Sequence, residues 1–171
     1  QKEGRVHDAL ALEPLFRSTN GPALHRVLGA IYVDFGDIVQ AKQRLEAVVD
    51  TDPNGYVHDR LIAVYYAEGN YNALRGLLDQ ATRRYTEPYY RAQRLALDIV
   101  EGVKAPNIDE WIGQDRSEII DSACYIQPYL TQGCRLTGMT YQTFDVVAAQ
   151  IPAAGLVLEF GVRNGHTVHK L

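Results

Sequence analysis

The chain has 171 residues and a net charge of -4, which argues against nucleic-acid binding through phosphate contacts. Hydrophobic residues make up 46% of it and charged residues 22%, values typical of globular proteins that exclude wholesale disorder. The length allows one substantial core or two small ones.

The sequence shows no sign of a secreted or membrane protein. The two cysteines, Cys124 and Cys134, are too few for a disulfide framework, and we interpret them as reduced thiols. There is no run of 18 apolar residues and no basic segment followed by an apolar core, so neither a membrane span nor a signal peptide is recognisable. We therefore expect a cytoplasmic protein that does not bind membranes. Because the first residue is Gln1 rather than Met, we also expect residues upstream.

The N-terminal region has a helical rhythm that becomes repetitive. Residues 6–16 are apolar at helical spacing but contain Pro14, which predicts a short helix or a frayed entry segment. From Pro22 onward, one set of positions recurs after 33 residues. The first copy is Leu28, Gly29, Tyr32, Gly36, Ala41, Leu45 and Pro53. The second, degenerate copy is Leu61, Ile62, Tyr65, Gly69, Leu74, Leu78 and Ala81.

This pattern resembles the tetratricopeptide repeat, in which two antiparallel helices pack through small residues at their crossing. Gly29 and Ala41 would let two helix axes approach closely, since neither has a side chain beyond Cβ. Gly36–Asp37 and Gly69–Asn70 are the predicted inter-helix turns. A third helix is predicted after Pro88, where it would cap the array.

A small array of this kind usually serves as an interaction or dimerisation surface. The 11 tyrosines suit a binding groove, although we interpret most of them as core residues. Four arginines are close together in the sequence and form either a basic strip for an acidic partner or a solvated face. They are Arg83, Arg84, Arg91 and Arg94.

After a connector over residues 102–106, a helical rhythm resumes from Ile108 to Leu130, with Asp115 or Ser117 near the start of the helix. Its apolar face would consist of Ile119, Ile120, Ala123, Ile126 and Leu130. Five acidic residues are scattered around this helix, so we interpret them as solvent-facing rather than as metal ligands. They are Asp109, Glu110, Asp115, Glu118 and Asp121.

The last residues change to a strand-turn-helix pattern. The apolar run 156–160 has the length of a buried strand, and Gly161 and Gly165 bracket the turn that follows. Glycines accept positive φ, and a helix starting there presents free N–H groups to a ligand. Glu159 would lie at the carboxyl end of the strand, where open α/β sheets bind ligands. The spacing leaves two interpretations open, a nucleotide-like cofactor site and an ordinary turn with a solvated Glu159.

The segment Val-Leu-Glu-Phe-Gly-Val-Arg-Asn-Gly, residues 157–165, resembles the first motif of class I S-adenosylmethionine-dependent methyltransferases. The similarity is to the macrocin O-methyltransferase branch in particular, and it includes a helix predicted over residues 141–150. The resemblance implies that the loop lies against the methionine part of S-adenosylmethionine. The cofactor-binding residues so implied are Glu159, Phe160, Gly161 and Gly165.

Two histidines follow the motif at a spacing that permits joint metal binding, His166 and His169. No third or fourth ligand accompanies them, so we predict no metal site. Catalytic residues are not identified by the sequence.

Together these patterns predict a mainly α protein. Tetratricopeptide-like helical hairpins would be followed by the first strand-turn-helix of a truncated α/β, Rossmann-like methyltransferase domain. The predicted regions are a helical-repeat domain over 1–104, a helical connector over 105–140 and the beginning of the methyltransferase domain over 141–171.

The functional expectation is the N-terminal part of an O-methyltransferase acting on a small molecule, with repeats for interaction or oligomerisation. The rest of the sheet would follow Leu171, so we expect these 171 residues to be inactive by themselves. The alternative is a non-enzymatic tetratricopeptide-type interaction module.

Overall fold

The computed structural model describes residues 21–103 and 113–134, together with positions 11, 136–138, 142, 146 and 149–150. The helices with described bounds are α1 (Pro22–Phe35), α2 (Ile38–Glu46), a 3₁₀ helix (Val49–Thr51), α3 (Tyr56–Glu68), α4 (Tyr71–Arg84), α5 (Pro88–Val100) and α6 (Ser117–Leu130). No strand occurs in this described part of the chain, so the prediction of a mainly α protein is confirmed. The predicted strand and turn, residues 156–165, lie outside the described residues.

The contacts divide the chain into two units, residues 1–50 with 139–171, and residues 51–138. In the first unit, α1 packs on α2. In the second, α3 packs on α4, α4 on α5 and α5 on α6. Within the described ranges, no helix has both the length and the apolar character that crossing a bilayer requires. The domain boundaries predicted near residues 104 and 140 stay predictions.

The crossing of α1 and α2 depends on a glycine. A Cβ built on Gly29 would lie 2.6 Å from both Cγ and Cδ2 of Leu45. Leu45 and Ala41 are themselves fully buried on α2. The close approach predicted for Gly29 is therefore present, since any larger residue there would overlap a neighbour that has little space to move.

The two predicted inter-helix turns share one geometry. Gly36 and Gly69 follow α1 and α3 in the left-handed conformation, with φ of 77° and 67°. In both turns the N–H groups of the glycine and of the next residue bond to carbonyls three and five residues earlier. That next residue, Asp37 or Asn70, accepts a backbone N–H three residues on, at 3.0 and 3.1 Å, and so caps the following helix. Both turns are confirmed.

The same glycine-capped helix end occurs a third time, 33 residues after Gly69. Gly102 has φ of 69°, and the N–H groups of Gly102 and Val103 bond to carbonyls three and five residues earlier, each at 2.9 Å. The helix before it, α5, also begins with a proline, as α1 does. The sequence predicts two copies of the repeat, whereas in the described residues this helix end occurs three times at a spacing of 33 residues. It occurs once more after α6, at Gly133 with φ of 90°, outside that spacing.

The last helix with described bounds, α6, begins at Ser117, which is one of the two residues predicted near its start. Gly113 and Arg116 have positive φ, 81° and 69°, so the rhythm that resumes at Ile108 does not continue as one helix to Leu130. Of the predicted apolar face of α6, Ile120 and Ala123 are buried against α5 and Ile119 packs beside them, whereas Ile126 and Leu130 are not part of this interface. This interface is a cluster of small and branched residues, Ala92, Ala96, Ile99, Ile120 and Ala123.

Substituting two helical glycines tests the crossing of α1 and α2. Gly76 in α4 has no atom within 4 Å of a built Cβ, so Gly76→Ala should stabilise the protein by about 0.5–1 kcal/mol. Gly29→Ala gains the same helix propensity but overlaps Leu45, and we expect a net loss of about 1 kcal/mol. Urea unfolding of both variants measures these free energies.

The double variant Gly29→Ala/Leu45→Ala serves as the control for this mechanism. Its free energy of unfolding should exceed that of Leu45→Ala alone, because the overlapping side chain is gone. Equal stabilisation by Gly29→Ala and Gly76→Ala would contradict the close approach.

Candidate functional site

The residues predicted to bind the cofactor, Glu159, Phe160, Gly161 and Gly165, lie outside the described residues, as do His166 and His169. Their implied role stays a prediction. Within the second unit, a different group of polar side chains meets where α4 ends and where α3 and α5 begin.

The centre of this group is a buried carboxylate, Asp52. Asp52 precedes a proline, and both its side chain and that of His58 are fully buried. One oxygen, Oδ2, accepts the N–H of Val57 in the first turn of α3 at 2.9 Å and lies 3.3 Å from His58 Nδ1. Because a carboxylate only accepts hydrogen bonds, Nδ1 carries the proton and donates it. Asp52 therefore caps α3 and fixes the orientation of the His58 ring.

Tyr85, just after α4, connects this centre to the next loop. Its hydroxyl donates to the backbone carbonyl of Asp52 at 3.0 Å. Its ring meets the ring of His58 edge-on, with centroids 5.2 Å apart and planes at 83°. Burial, followed by the charge of Asp52, raises the pKa of the Tyr85 hydroxyl. The hydroxyl is therefore a neutral donor, and it joins the loop after α4 to the loop before α3.

Tyr90 of α5 closes the group from the other side. Its hydroxyl lies 3.2 Å from the carbonyl oxygen of Gly55 and 3.0 Å from Oδ1 of Asp59. Burial raises the pKa of Tyr90 far above its ordinary value, with the charge of Asp59 as the second cause. Gly55 has φ of 81°, and a built Cβ would overlap the Tyr90 hydroxyl. Glycine is thus required there both by the backbone conformation and by the contact.

Asp59 is the acidic member of this group nearest to solvent. Although the residue as a whole is exposed, partial desolvation raises the pKa of its carboxyl above the ordinary value. The hydrogen bond from Tyr90 opposes this rise, because it stabilises the carboxylate. Asp59 therefore gives up its proton at a higher pH in the folded chain than in the unfolded chain.

A cavity of about 900 Å³ borders this group, because Asp59 and Tyr90 line it. We call it the N-terminal cavity, since its other walls come from the N-terminal ends of the helices α5 and α6, not from the N-terminus of the chain. Its charged lining residues are Asp59, Glu87, Asp115, Arg116 and Glu118.

The histidine that precedes the lining residue Asp59 is closed to solvent. His58 is fully buried, its ring lies against those of Tyr85 and Tyr90, and it makes its hydrogen bond to Asp52. Over the described ranges, no group of three or more His, Cys, Asp or Glu side chains is placed to hold a metal ion. Asp115, Glu118 and Asp121 are exposed, as predicted, while Asp109 and Glu110 lie outside the described residues.

Sequence reasoning missed the buried pair and interpreted one arginine incompletely. The available signal for Asp52 was an aspartate directly before a proline and a helix start. Arg94 does not belong to a solvated basic strip, because it bonds to Asp79 at 2.8 Å and to Asp98 at 2.6 Å. Its role is to hold α4 and α5 together.

Removing the buried carboxylate should destabilise the second unit. Asp52→Ala leaves the Val57 N–H and the His58 Nδ1–H without an acceptor, and we expect a loss of about 2–4 kcal/mol in the free energy of unfolding. Asp52→Asn keeps one acceptor oxygen and should lose less. Urea unfolding measures both, with the exposed Asp121→Ala as a control expected within about 0.5 kcal/mol of the wild type. Equal stability of all three variants would contradict the capping role.

The raised pKa of Asp59 predicts a pH dependence. Because the folded pKa lies above the unfolded value, the contribution of Asp59 to stability is present below the unfolded pKa, and it is lost as pH rises through the folded pKa. The stability of Asp59→Asn relative to wild type should therefore increase from acidic to neutral pH. Urea unfolding across this range measures the difference, and Asp121→Asn controls for the change in net charge.

A carboxyl NMR titration of Asp59 reports the same shift directly. Tyr90→Phe removes the hydrogen bond that stabilises the carboxylate, so the pKa of Asp59 should rise further in that variant. An Asp59 pKa at or below its ordinary value would overturn the interpretation.

Comparisons with known proteins add no relative of this chain. No family model, no curated protein and no solved structure matches it. What the chain does must therefore be inferred from its own residues.

Proposed function

We propose that this chain joins a helical-repeat interaction module to the first, cofactor-binding strand-turn-helix of an S-adenosylmethionine-dependent methyltransferase. One structural observation carries the first half, the glycine-capped helix end that recurs at Gly36, Gly69 and Gly102 with the same pair of hydrogen bonds. A single helical repeat cannot bury its apolar face alone, and stacked repeats expose extended surfaces that suit binding to other proteins.

The chemistry of the described helices also favours binding. The buried polar centre of Asp52 and His58 is used for capping a helix and for orienting a ring, and both side chains are closed to solvent. The N-terminal cavity next to it offers exposed carboxylates and the half-buried ring of Tyr89. These groups recognise a partner through charge and stacking rather than through covalent catalysis.

The second half rests on residues 157–165, whose sequence resembles the first motif of class I methyltransferases. In that role Glu159, Phe160, Gly161 and Gly165 would contact S-adenosylmethionine in the complete protein. The cofactor supplies the activated methyl group, and the protein supplies binding and orientation of an oxygen acceptor on a small molecule.

A non-enzymatic interaction module is the second candidate. It is favoured by the recurring helix ends and by the exposed carboxylates of the N-terminal cavity, which suit partner binding without chemistry. The two candidates differ in one property, the affinity for S-adenosylhomocysteine, the product form of the cofactor.

Calorimetric titration of S-adenosylhomocysteine distinguishes them. It should be carried out on the 171-residue chain and on the natural polypeptide that carries this sequence. We expect micromolar binding to the natural polypeptide, weakened at least about tenfold by Gly161→Val, because a branched side chain at a ligand-facing turn excludes close backbone approach. Glu159→Gln should weaken it as well.

Arg163→Gln is the matched control, because Arg163 belongs to the same predicted turn and we interpret it as a surface residue. Binding that is equally weakened by the control would indicate a general effect on folding. Absence of binding to the natural polypeptide would reject the methyltransferase half and leave the interaction module.

A further inference from the structure

The N-terminal cavity has a strongly biased charge. Four carboxylates reach it from three separate segments of the chain: one from α3, one from the residue before α5, and two from the third segment, where Asp115 precedes α6 and Glu118 lies in its first turn. Arg116 is the single basic residue among the described lining residues, and it already faces Glu118 at 3.7 Å. Both side chains of that pair are more than half exposed, 56% and 65%, so the pair is weak and can rearrange.

Helix capping explains only part of this acidity. Asp59 and Glu118 lie in the first turns of α3 and α6, where carboxylates complement the helix dipole. Glu87 occupies the N-cap of α5 but makes no side-chain capping bond. Asp115 precedes α6 and is exposed. At least these two carboxylates are therefore available to a ligand.

The N-terminal ends of the helices are positive and attract anions, so their charge must be compared with that of the carboxylates. Three helix N-termini contribute roughly +0.5 of an elementary charge each, and Arg116 adds one. Four carboxylates outweigh this sum. The cavity therefore presents a net negative field, which attracts cations rather than phosphate or carboxylate groups.

Aromatic rings form the remaining wall. Tyr89 and Tyr90 lie edge to face, with centroids 5.2 Å apart and planes at 72°. Tyr90 is held in place by its hydrogen bonds, while Tyr89 is half-buried and lines the cavity. Tyrosine faces accept both the aliphatic stem and the charged head of lysine or arginine.

We propose that the N-terminal cavity binds a basic segment of a partner protein, with lysine or arginine side chains facing Glu87, Asp115 and Tyr89. This inference rests on the proposed role of the helices as an interaction module. The volume of about 900 Å³ lies within the range of ligand cavities, and it spans three loops, more than a single small cation would fill. An extended peptide with two or more basic residues can reach carboxylates on separate segments at once.

An NMR titration of the ¹⁵N-labelled chain tests the proposal. The probe is the capped peptide acetyl-Lys-Arg-Gly-Lys-Arg-amide, and its counterpart acetyl-Glu-Asp-Gly-Glu-Asp-amide is the charge control. We expect the basic peptide to shift the backbone amides of residues 87, 89–90 and 114–118, with an affinity that falls as salt is added. The acidic peptide should leave them unchanged.

Paired variants separate the cavity from the rest of the acidic surface. Glu87→Gln/Asp115→Asn removes two charges without reversing them, and we expect the affinity for the basic peptide to fall at least about fivefold. Glu87→Lys/Asp115→Lys should abolish it. Asp121→Asn removes an exposed charge from α6 outside the cavity and should leave the affinity unchanged. Circular dichroism confirms that each variant keeps its helices.

Three results would overturn the proposal. One is the absence of amide shifts at the cavity, and another is an equal loss of affinity in Asp121→Asn, which would indicate unspecific attraction to an acidic protein. The third is tighter binding of spermidine or inorganic phosphate than of the basic peptide at the same amides. Sedimentation velocity of the wild type and the S-adenosylhomocysteine titration are independent of the cavity. Self-association or cofactor binding without peptide binding would therefore reject the cavity proposal alone.

Discussion

The left-handed glycine that ends a helix is the constraint on which the described structure depends. At Gly36, Gly69 and Gly102 the chain leaves a helix through a positive φ, and two N–H groups close the last turn onto earlier carbonyls. A side chain with a Cβ is strained in this conformation, so the direction in which the chain leaves each helix is encoded by one residue type. After Gly36 and Gly69 the next residue caps a new helix, which makes each turn only two residues long. Such short connections force neighbouring helices into contact.

The loop that leads into α3 depends on a buried polar centre as well as on a glycine, Gly55. Asp52 caps α3 from inside the protein, and the hydroxyls of Tyr85 and Tyr90 bond to the carbonyls of the loop that leads into α3. Buried polar groups are costly unless they are hydrogen-bonded, so this arrangement tolerates few alternatives and holds the loop in one conformation. The wall that Tyr90 contributes to the N-terminal cavity is consequently held in place.

The sequence predicted the helices and their turns because these follow from local rules. Glycine spacing, a proline at a helix start and Asp37 or Asn70 at an N-cap act over a few residues and can be recognised without knowing the rest of the fold. The third glycine-capped end was not predicted. The helix before it has Arg94 and Leu95 where the first copy has Leu28 and Gly29, so the repeat pattern is lost and Gly102 was assigned to the connector over residues 102–106.

The candidate site was not predictable in the same way. Tyr85 lies 33 residues from Asp52, and Tyr90 lies 35 residues from Gly55, so the hydrogen bonds between them depend on how α3, α4 and α5 pack. Arg94 illustrates the same limit, since its partner Asp79 is on another helix and the sequence alone suggests a solvated charge. Pairing of this kind is a property of tertiary structure and leaves no spacing signal.

The position of the cavity follows from the repeat itself. Asp52 and Tyr85 occupy equivalent positions in successive copies, each in the loop that precedes the first helix of the next copy, and the hydrogen bond between them joins these two loops. A repeating chain therefore brings the beginnings of α3 and α5 to the same end of the array, and the start of α6 completes the wall. The exposed residues near these helix starts, such as Glu87 and Asp115, contribute little to the apolar core, so their charge can change without loss of the fold. Acidic side chains collected there are thus a feature that the architecture permits but does not require.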